Sequence, residues 1–247
     1  YQEYFERMTH DPHTYGKPLS ALLGALKMQV LLGLPSIGGK DSMSGTFEHI
    51  SVPPTLIAFG ITTMGADRVI SPELKQAGHA LYLIKHTPES NYMPSVPCLT
   101  ANWKATTEAI AAGKICAAYA IGFGGVAEAV AKMSFGNALG VEIQIDENEL
   151  FDYQYGSILV EATCPLDMEN AILLGHVVEG NMLTINGEAM SREHLHEACC
   201  APYTRVYPAA VPAKHQALLP AGVEAQAPKK APLVYAGEAV EHPTVYI

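Results

Sequence analysis

The sequence predicts an α+β fold in which helices pack as layers on a sheet. Three observations predict it. Segments with apolar residues at helical spacing interleave along the chain with short aliphatic runs of strand length. Hydrophobic residues make up 49% of the 247 and charged residues only 16%, enough apolar material over enough length for a buried core. Near the C-terminal end, "NMLTINGEAMS" reads as a hairpin, because Asn186-Gly187 tolerates the positive φ angles that a tight primed turn demands.

The elements follow in order. In "PLSALLGALKMQVLLG", residues 18–33, Leu19, Leu22, Leu23, Leu26, Val30 and Leu31 form a helical stripe, with Pro18 suited to a first turn and Gly33 to a C-terminal stop. "PPTLIAFGITTMG" reads as a strand entered through two prolines and left through Gly65. "RVISPELKQAGHALYLIKH" predicts a short helix and then a buried strand over 80–84, with a domain boundary near residue 72. Beyond it come a helix over 101–113, a strand in "KICAAYAI", the helix "GGVAEAVAKMSF", and the strands "GVEIQI" and "GSILVEA". A helix over 167–175, the hairpin and a last helix carrying His194 and His196 complete the pattern. From residue 206 the chain is rich in Pro and Ala with weak periodicity, which reads as a linker or tail.

Charge and cysteine content narrow the function classes. The formal net charge of −10 argues against general affinity for nucleic acid or an anionic membrane, both of which need basic surface. No apolar run approaches the ~20 residues of a membrane span, and "YQEYFERMTH" is neither basic nor apolar enough for a signal peptide. The chain opens on Tyr1 rather than Met, which reads as a cut end. The cysteines, Cys98, Cys116, Cys164, Cys199 and Cys200, form no C-x-x-C pair, and the odd count suits the reducing cytosol. Cys199 and Cys200 read as half-buried small apolar residues; with His194 and His196 they make a conceivable metal set, against surface histidines on a terminal helix.

Two glycine-rich stretches carry candidate chemistry. In "LPSIGGKDSMSGTF", Gly38 and Gly39 permit unusual backbone conformations and close approach to a ligand. Successive N–H groups in such a bend form an anion-binding concavity. Lys40 adds a cation, Ser42 and Ser44 add hydroxyls, and Asp41 offers a carboxylate for a metal or a donor. This is what a phosphate or Mg-nucleotide requires, although the spacing is not that of a Walker A loop and a polar turn is the competing reading. The second stretch is "GFGGVAEAV", whose Gly-Gly entry into a helix offers N-terminal N–H groups to an anion. Its competing reading is close packing of a helix start, with Glu128 on a solvated face.

Taken together, "GLPSIGGKDSMSGTF", "PPTLIAFGITTM", "VISPELKQAGHALYLI", "GFGGVAEAVAKMSFGNALGVEI" and "YGSILVEA", in that order, closely resemble the large form of the phosphoribosylformylglycinamidine synthase family. The resemblance runs from about residue 15 to 205, and the Gly-Lys-Asp-Ser-Met-Ser string is its most specific part. It implies a ligase that converts formylglycinamide ribonucleotide to formylglycinamidine ribonucleotide in purine biosynthesis. ATP activates the amide oxygen, and ammonia from a glutaminase domain of the same chain displaces it. The implied fold is the second aminoimidazole-ribonucleotide-synthetase-like (PurM-like) unit. Residues 1–72 are then the end of a β-barrel-forming N-terminal half, 73–205 an α/β C-terminal half, and 206–247 a linker toward the glutaminase.

The resemblance also carries residues over. In related smaller synthases the matching loop reads Gly-Asn-x-Ser, with the Gly at ATP, the Asn at Mg²⁺ and the Ser at the substrate phosphate. Gly39 and Ser42 match. Lys40 replaces the Asn, which suits phosphate better than metal. Gly38, Gly39 and Lys40 are thus expected at ATP, and Asp41 and Ser42 at substrate, with ATP and Mg²⁺ as cofactors and no metal ligand assigned. At the second stretch some large-form relatives carry an Asp-x-Ser-Asp-Gly-Gly string that holds Mg²⁺. Here Ala120 to Gly125 lack both carboxylates and the hydroxyl, which weakens that site. Expected is a cytoplasmic enzyme fragment, inactive alone, whose exposed strand edges pair into a homodimer. The alternatives are a non-catalytic scaffold and another enzyme of the superfamily, such as selenophosphate synthetase or thiamine-monophosphate kinase.

Overall fold

The structure is a computed structural model that describes residues 1–42, 44–204 and 207. Residues 1–197 form one compact unit, and a second unit begins at Ala198. Within the first, β5 (Ala80–Ile84), β6 (Ile115–Ala120), β7 (Gly140–Ile143), β8 (Ile158–Ala162), β9 (Ala171–Val178), β10 (Met182–Ile185) and β11 (Glu188–Ser191) build a seven-stranded sheet. Its order is β11-β10-β7-β9-β5-β8-β6. Every neighbouring pair is antiparallel except β10 with β7.

The apolar run of β5 is continuous because both faces of the sheet are covered. Leu81 and Leu83 face a core shared with Val126, Ala129, Val130 and Met133 of α3 (Gly125–Ser134). Tyr82 and Ile84 face a second core with Ala109 of α2 (Val96–Ala111). The two helices thus sandwich the sheet, as the layered α+β expectation requires. The hairpin forms as predicted: Ile185 pairs with Glu188, and Asn186 and Gly187 adopt φ of 53° and 86°.

Three sequence expectations are corrected. Residues 167–175 do not form a helix, because Ala171–Val178 is β9, a strand inside the sheet between β5 and β7. The segment before β5 holds only a 3-10 turn at Ala66–Arg68. In "PPTLIAFGITTMG" only β4 (Thr55–Ile57) pairs, with β1 (Gln2–Tyr4). A small ribbon of β2 (Thr46–Phe47) and β3 (Ile50–Ser51) lies nearby in sequence.

Helix α1 (His13–Leu32) begins five residues before the expected start, so Pro18 sits inside it. Gly33 ends it as expected, at φ 66° with its N–H directed to Gln29 and Val30 carbonyls. The predicted apolar stripe exists but is uncovered: Leu22, Leu23, Leu26, Val30 and Leu31 are between 44% and 71% exposed. A final helix, α5 (Arg192–Thr204), carries His194, Cys199 and Cys200 in exposed positions, so the half-buried reading of the two cysteines does not hold. The expected linker over 206–247 lies, Tyr207 apart, outside the described residues.

Candidate functional site

The Gly38–Ser42 stretch lies alongside β1 as an extended parallel neighbour. The Lys40 N–H donates to the Tyr1 carbonyl (3.0 Å), Glu3 N–H donates to the Lys40 carbonyl (2.9 Å), and Phe5 N–H donates to the Ser42 carbonyl (2.8 Å). The predicted concavity of successive free N–H groups is therefore not what forms here, since the Lys40 amide is spent on β1. Extended geometry places alternate side chains on one side. Lys40 and Ser42 accordingly meet, the ammonium donating to the Ser42 hydroxyl. The same ammonium lies 5.2 Å from the centroid of the Tyr4 ring. Strand alternation directs Asp41 to the opposite side, so the structure brings Lys40 and Ser42 together and separates Asp41 from them.

The glycines serve space rather than strain. Neither Gly38 nor Gly39 takes a positive φ. A Cβ on Gly38 would meet nothing within 4 Å, and one on Gly39 only the Tyr1 carbonyl and Cβ, at 3.4 and 3.9 Å. Two cavities adjoin Gly38. One, of about 330 Å³, runs between Met28, Leu34, Phe59 and Ile61; the other, of about 360 Å³, runs along Leu22, Leu26 and Gln29. Both fall within the ~300–1,000 Å³ of small-molecule sites. Gly38, and in the second cavity Gly39, line this largely apolar space, and the exposed Lys40 and half-buried Ser42 follow them in the chain, a cation and a hydroxyl of the kind that bind an anionic group.

The second glycine stretch is already occupied by its own chain. Gly124 N–H donates to a Glu128 carboxylate oxygen (2.8 Å), and the other oxygen accepts from Lys132. The Lys132 ammonium, and after it the Gly124 amide, hold the Glu128 carboxyl below the usual range, and Glu128 in turn raises Lys132. Glu128 is therefore a cap and not a merely solvated residue. Gly125, at φ 67°, is packed so closely that a Cβ would come within 2.7 Å of the Leu150 carbonyl. Close packing of a helix start is the reading this geometry favours, with the Gly124 amide bonded to Glu128 and the Gly125 amide to the Gly122 carbonyl.

Sequence reasoning missed one cluster altogether. His79, Cys116 and Glu161 bring Nδ1, Sγ and a carboxylate oxygen within 4.8 Å of one another, on the adjacent strands β5, β8 and β6 or just before them. They are far apart in sequence, and the only advance signal was a glutamate in the apolar run "GSILVEA".

No family model matches the chain. Solved structures do. The chain is similar to Thermotoga maritima PurL complexed with ATP, at 12% identity and a TM-score of 0.55, over 78% of this chain and 37% of that one. It is similar to T. maritima PurL complexed with FGAR, at 12% identity and a TM-score of 0.53, over 68% and 36%. The T. maritima PurLQS structure aligns at 12% identity and a TM-score of 0.54, over 68% and 34%. The fold is PurM-like. The chain spans about a third of the length of these structures. Among the described residues no helix is long and apolar enough to cross a membrane.

Proposed function

We propose that this chain is the second PurM-like unit of a large-form phosphoribosylformylglycinamidine synthase, and that Gly38 to Ser42 line its phosphate-holding edge. The observation that carries the reading is the Lys40–Ser42 pair directly following glycines that line two ligand-sized cavities, in a chain with the PurL fold. The PurL structures complexed with ATP and with FGAR support those two ligands. Gly38 and Gly39 leave room for a phosphate to approach the backbone, Lys40 supplies the cation, and Ser42 a hydroxyl donor. Bound ATP would supply the phosphoryl group that makes the substrate amide oxygen a leaving group. The protein's own part is to fix the anionic end of the ligand through Lys40 and Ser42 so that the reacting end is placed.

Mg²⁺ finds less support in these residues. It prefers several oxygen ligands, and Asp41 is a single carboxylate turned away from the Lys40–Ser42 pair. Ligands for it would have to come from the nucleotide and from other parts of a complete synthase, as would the glutaminase that delivers ammonia. The cytoplasmic setting belongs to the same proposal.

The test is Ser42→Ala in the complete synthase. A several-fold rise in KM for the ribonucleotide with kcat nearly unchanged is expected. Unchanged kinetics would favour the second reading, a scaffold or dimerisation unit. That reading has its own observation, the uncovered apolar stripe on α1.

A further inference from the structure

The structure assigns a binding site for a borderline divalent transition-metal ion of the Zn²⁺ class to His79, Cys116 and Glu161. The strands are built to gather these donors. In the β5–β8 pairing Leu81 stands opposite Glu161, and His79, two residues before Leu81, lies on the same face. In the β6–β8 pairing the register shifts between Ile115 and Ala117, so Cys116 is the extra residue of a bulge facing Glu161. Bulges re-aim side chains in this way. Cys116 Sγ lies 3.7 Å from His79 Nδ1 and 3.6 Å from the Glu161 carbonyl. Tetrahedral Zn–S and Zn–N bonds require an S···N separation of about 3.5 Å.

The carboxylate is already held as a metal ligand would be. Glu161 is fully buried. One of its oxygens accepts from Lys75 N–H at 2.7 Å; the other accepts from Gln76 N–H at 3.0 Å and faces His79 Nδ1 at 2.7 Å. Such hydrogen bonds to a ligating carboxylate orient it and tune the metal. To bind an ion at Nδ1 the imidazole carries its proton on Nε2, the Nδ1–carboxylate separation widens from its 2.7 Å hydrogen bond, and the Cys116 thiol proton leaves to solvent. The His79 side chain remains 18% exposed, which gives the ion and a completing water a way in. It also borders a cavity of about 310 Å³ with Cys164 and His176. One thiolate, one imidazole and one carboxylate suit Zn²⁺ or Co²⁺; they do not suit Mg²⁺, which selects oxygen ligands. The site joins three adjacent strands and is independent of the Gly38–Ser42 edge.

The test uses the whole chain with Cys199→Ser and Cys200→Ser, which removes the adjacent exposed thiols from competition. The chelator-treated protein is titrated with Co²⁺ and followed by absorbance. One Co²⁺ per chain is expected, with a thiolate-to-cobalt charge-transfer band that Zn²⁺ abolishes. Cys116→Ala and, separately, His79→Gln in that background should each weaken Co²⁺ binding at least about tenfold, with Cys116→Ala erasing the band. Far-ultraviolet circular dichroism establishes that each variant is folded. No band in the background protein, or a band that survives Cys116→Ala, overturns the assignment.

Discussion

Glu161→Gln should destabilise the protein more than any comparably conservative change on the sheet. The side chain is fully buried and accepts from three N–H donors, those of Lys75, Gln76 and His79. A glutamine of the same shape keeps one acceptor oxygen and turns an NH₂ toward at least one of those donors. A buried donor left without a partner costs roughly 1–3 kcal/mol, and bonds to a charged acceptor are worth more than neutral ones. The expected loss is therefore about 2–4 kcal/mol. With a urea m-value of about 2 kcal/mol/M, the unfolding midpoint falls by roughly 1–2 M. Equilibrium urea unfolding by circular dichroism measures this directly. His79→Ala removes only one donor, from a partly exposed position, and should cost about 1 kcal/mol. A midpoint shift under about 0.2 M for Glu161→Gln, or a larger loss for His79→Ala, would refute the view that this carboxylate ties the 75–79 segment to β8.

Other outcomes follow from the same geometry. Gly125→Ala should cost roughly 1–3 kcal/mol, because its Cβ would press on the Leu150 carbonyl and its φ is positive; thermal unfolding reports it. Burial, and then the neighbouring Glu161 charge, push the Cys116 thiol up to about 11, so at pH 8 a thiol reagent should modify exposed Cys164 and Cys199 well before Cys116, as mass spectrometry of digests shows. Because that thiol's folded value exceeds its unfolded one, its contribution to stability is present below about pH 9 and lost as pH rises toward 11. For Glu128 the sign is opposite. Its lowered value means that the cap's contribution is present above the unfolded glutamate range and lost as pH falls through the folded value, which an NMR titration of the side chain reads.

Legibility from sequence varied with how local the cause was. The hairpin was readable because Asn186-Gly187 dictates its own turn, and β5 because an apolar run bounded by Gly78 and Lys85 leaves few alternatives. β9 was not. "AILLGHVV" has neither strand alternation nor helical spacing, and only its partners on both sides, β5 and β7, make it a strand. Lys40 and Ser42 were readable as candidates from residue type. Their contact depends on extended pairing with β1, thirty-eight residues away for the Gln2–Lys40 bridge, which no local pattern announces. The same holds for Glu128, whose role as a cap depends on the Gly124 amide turning back to meet it.

The position of β9 also sets a timetable. During synthesis β5, β6, β7 and β8 all leave the ribosome before residue 171, yet β5 and β7 are not joined into one sheet until β9 lies between them. Up to that moment β5, β8 and β6 form a sheet with an open edge where β9 belongs, and β7 has no strand partner. Long-range closure of this kind is slow, and the waiting edges attract other strands. The chain should accordingly be most vulnerable to misassembly in the interval after β8 has emerged and before Val178 has, which is when a holding chaperone would be of most use to it.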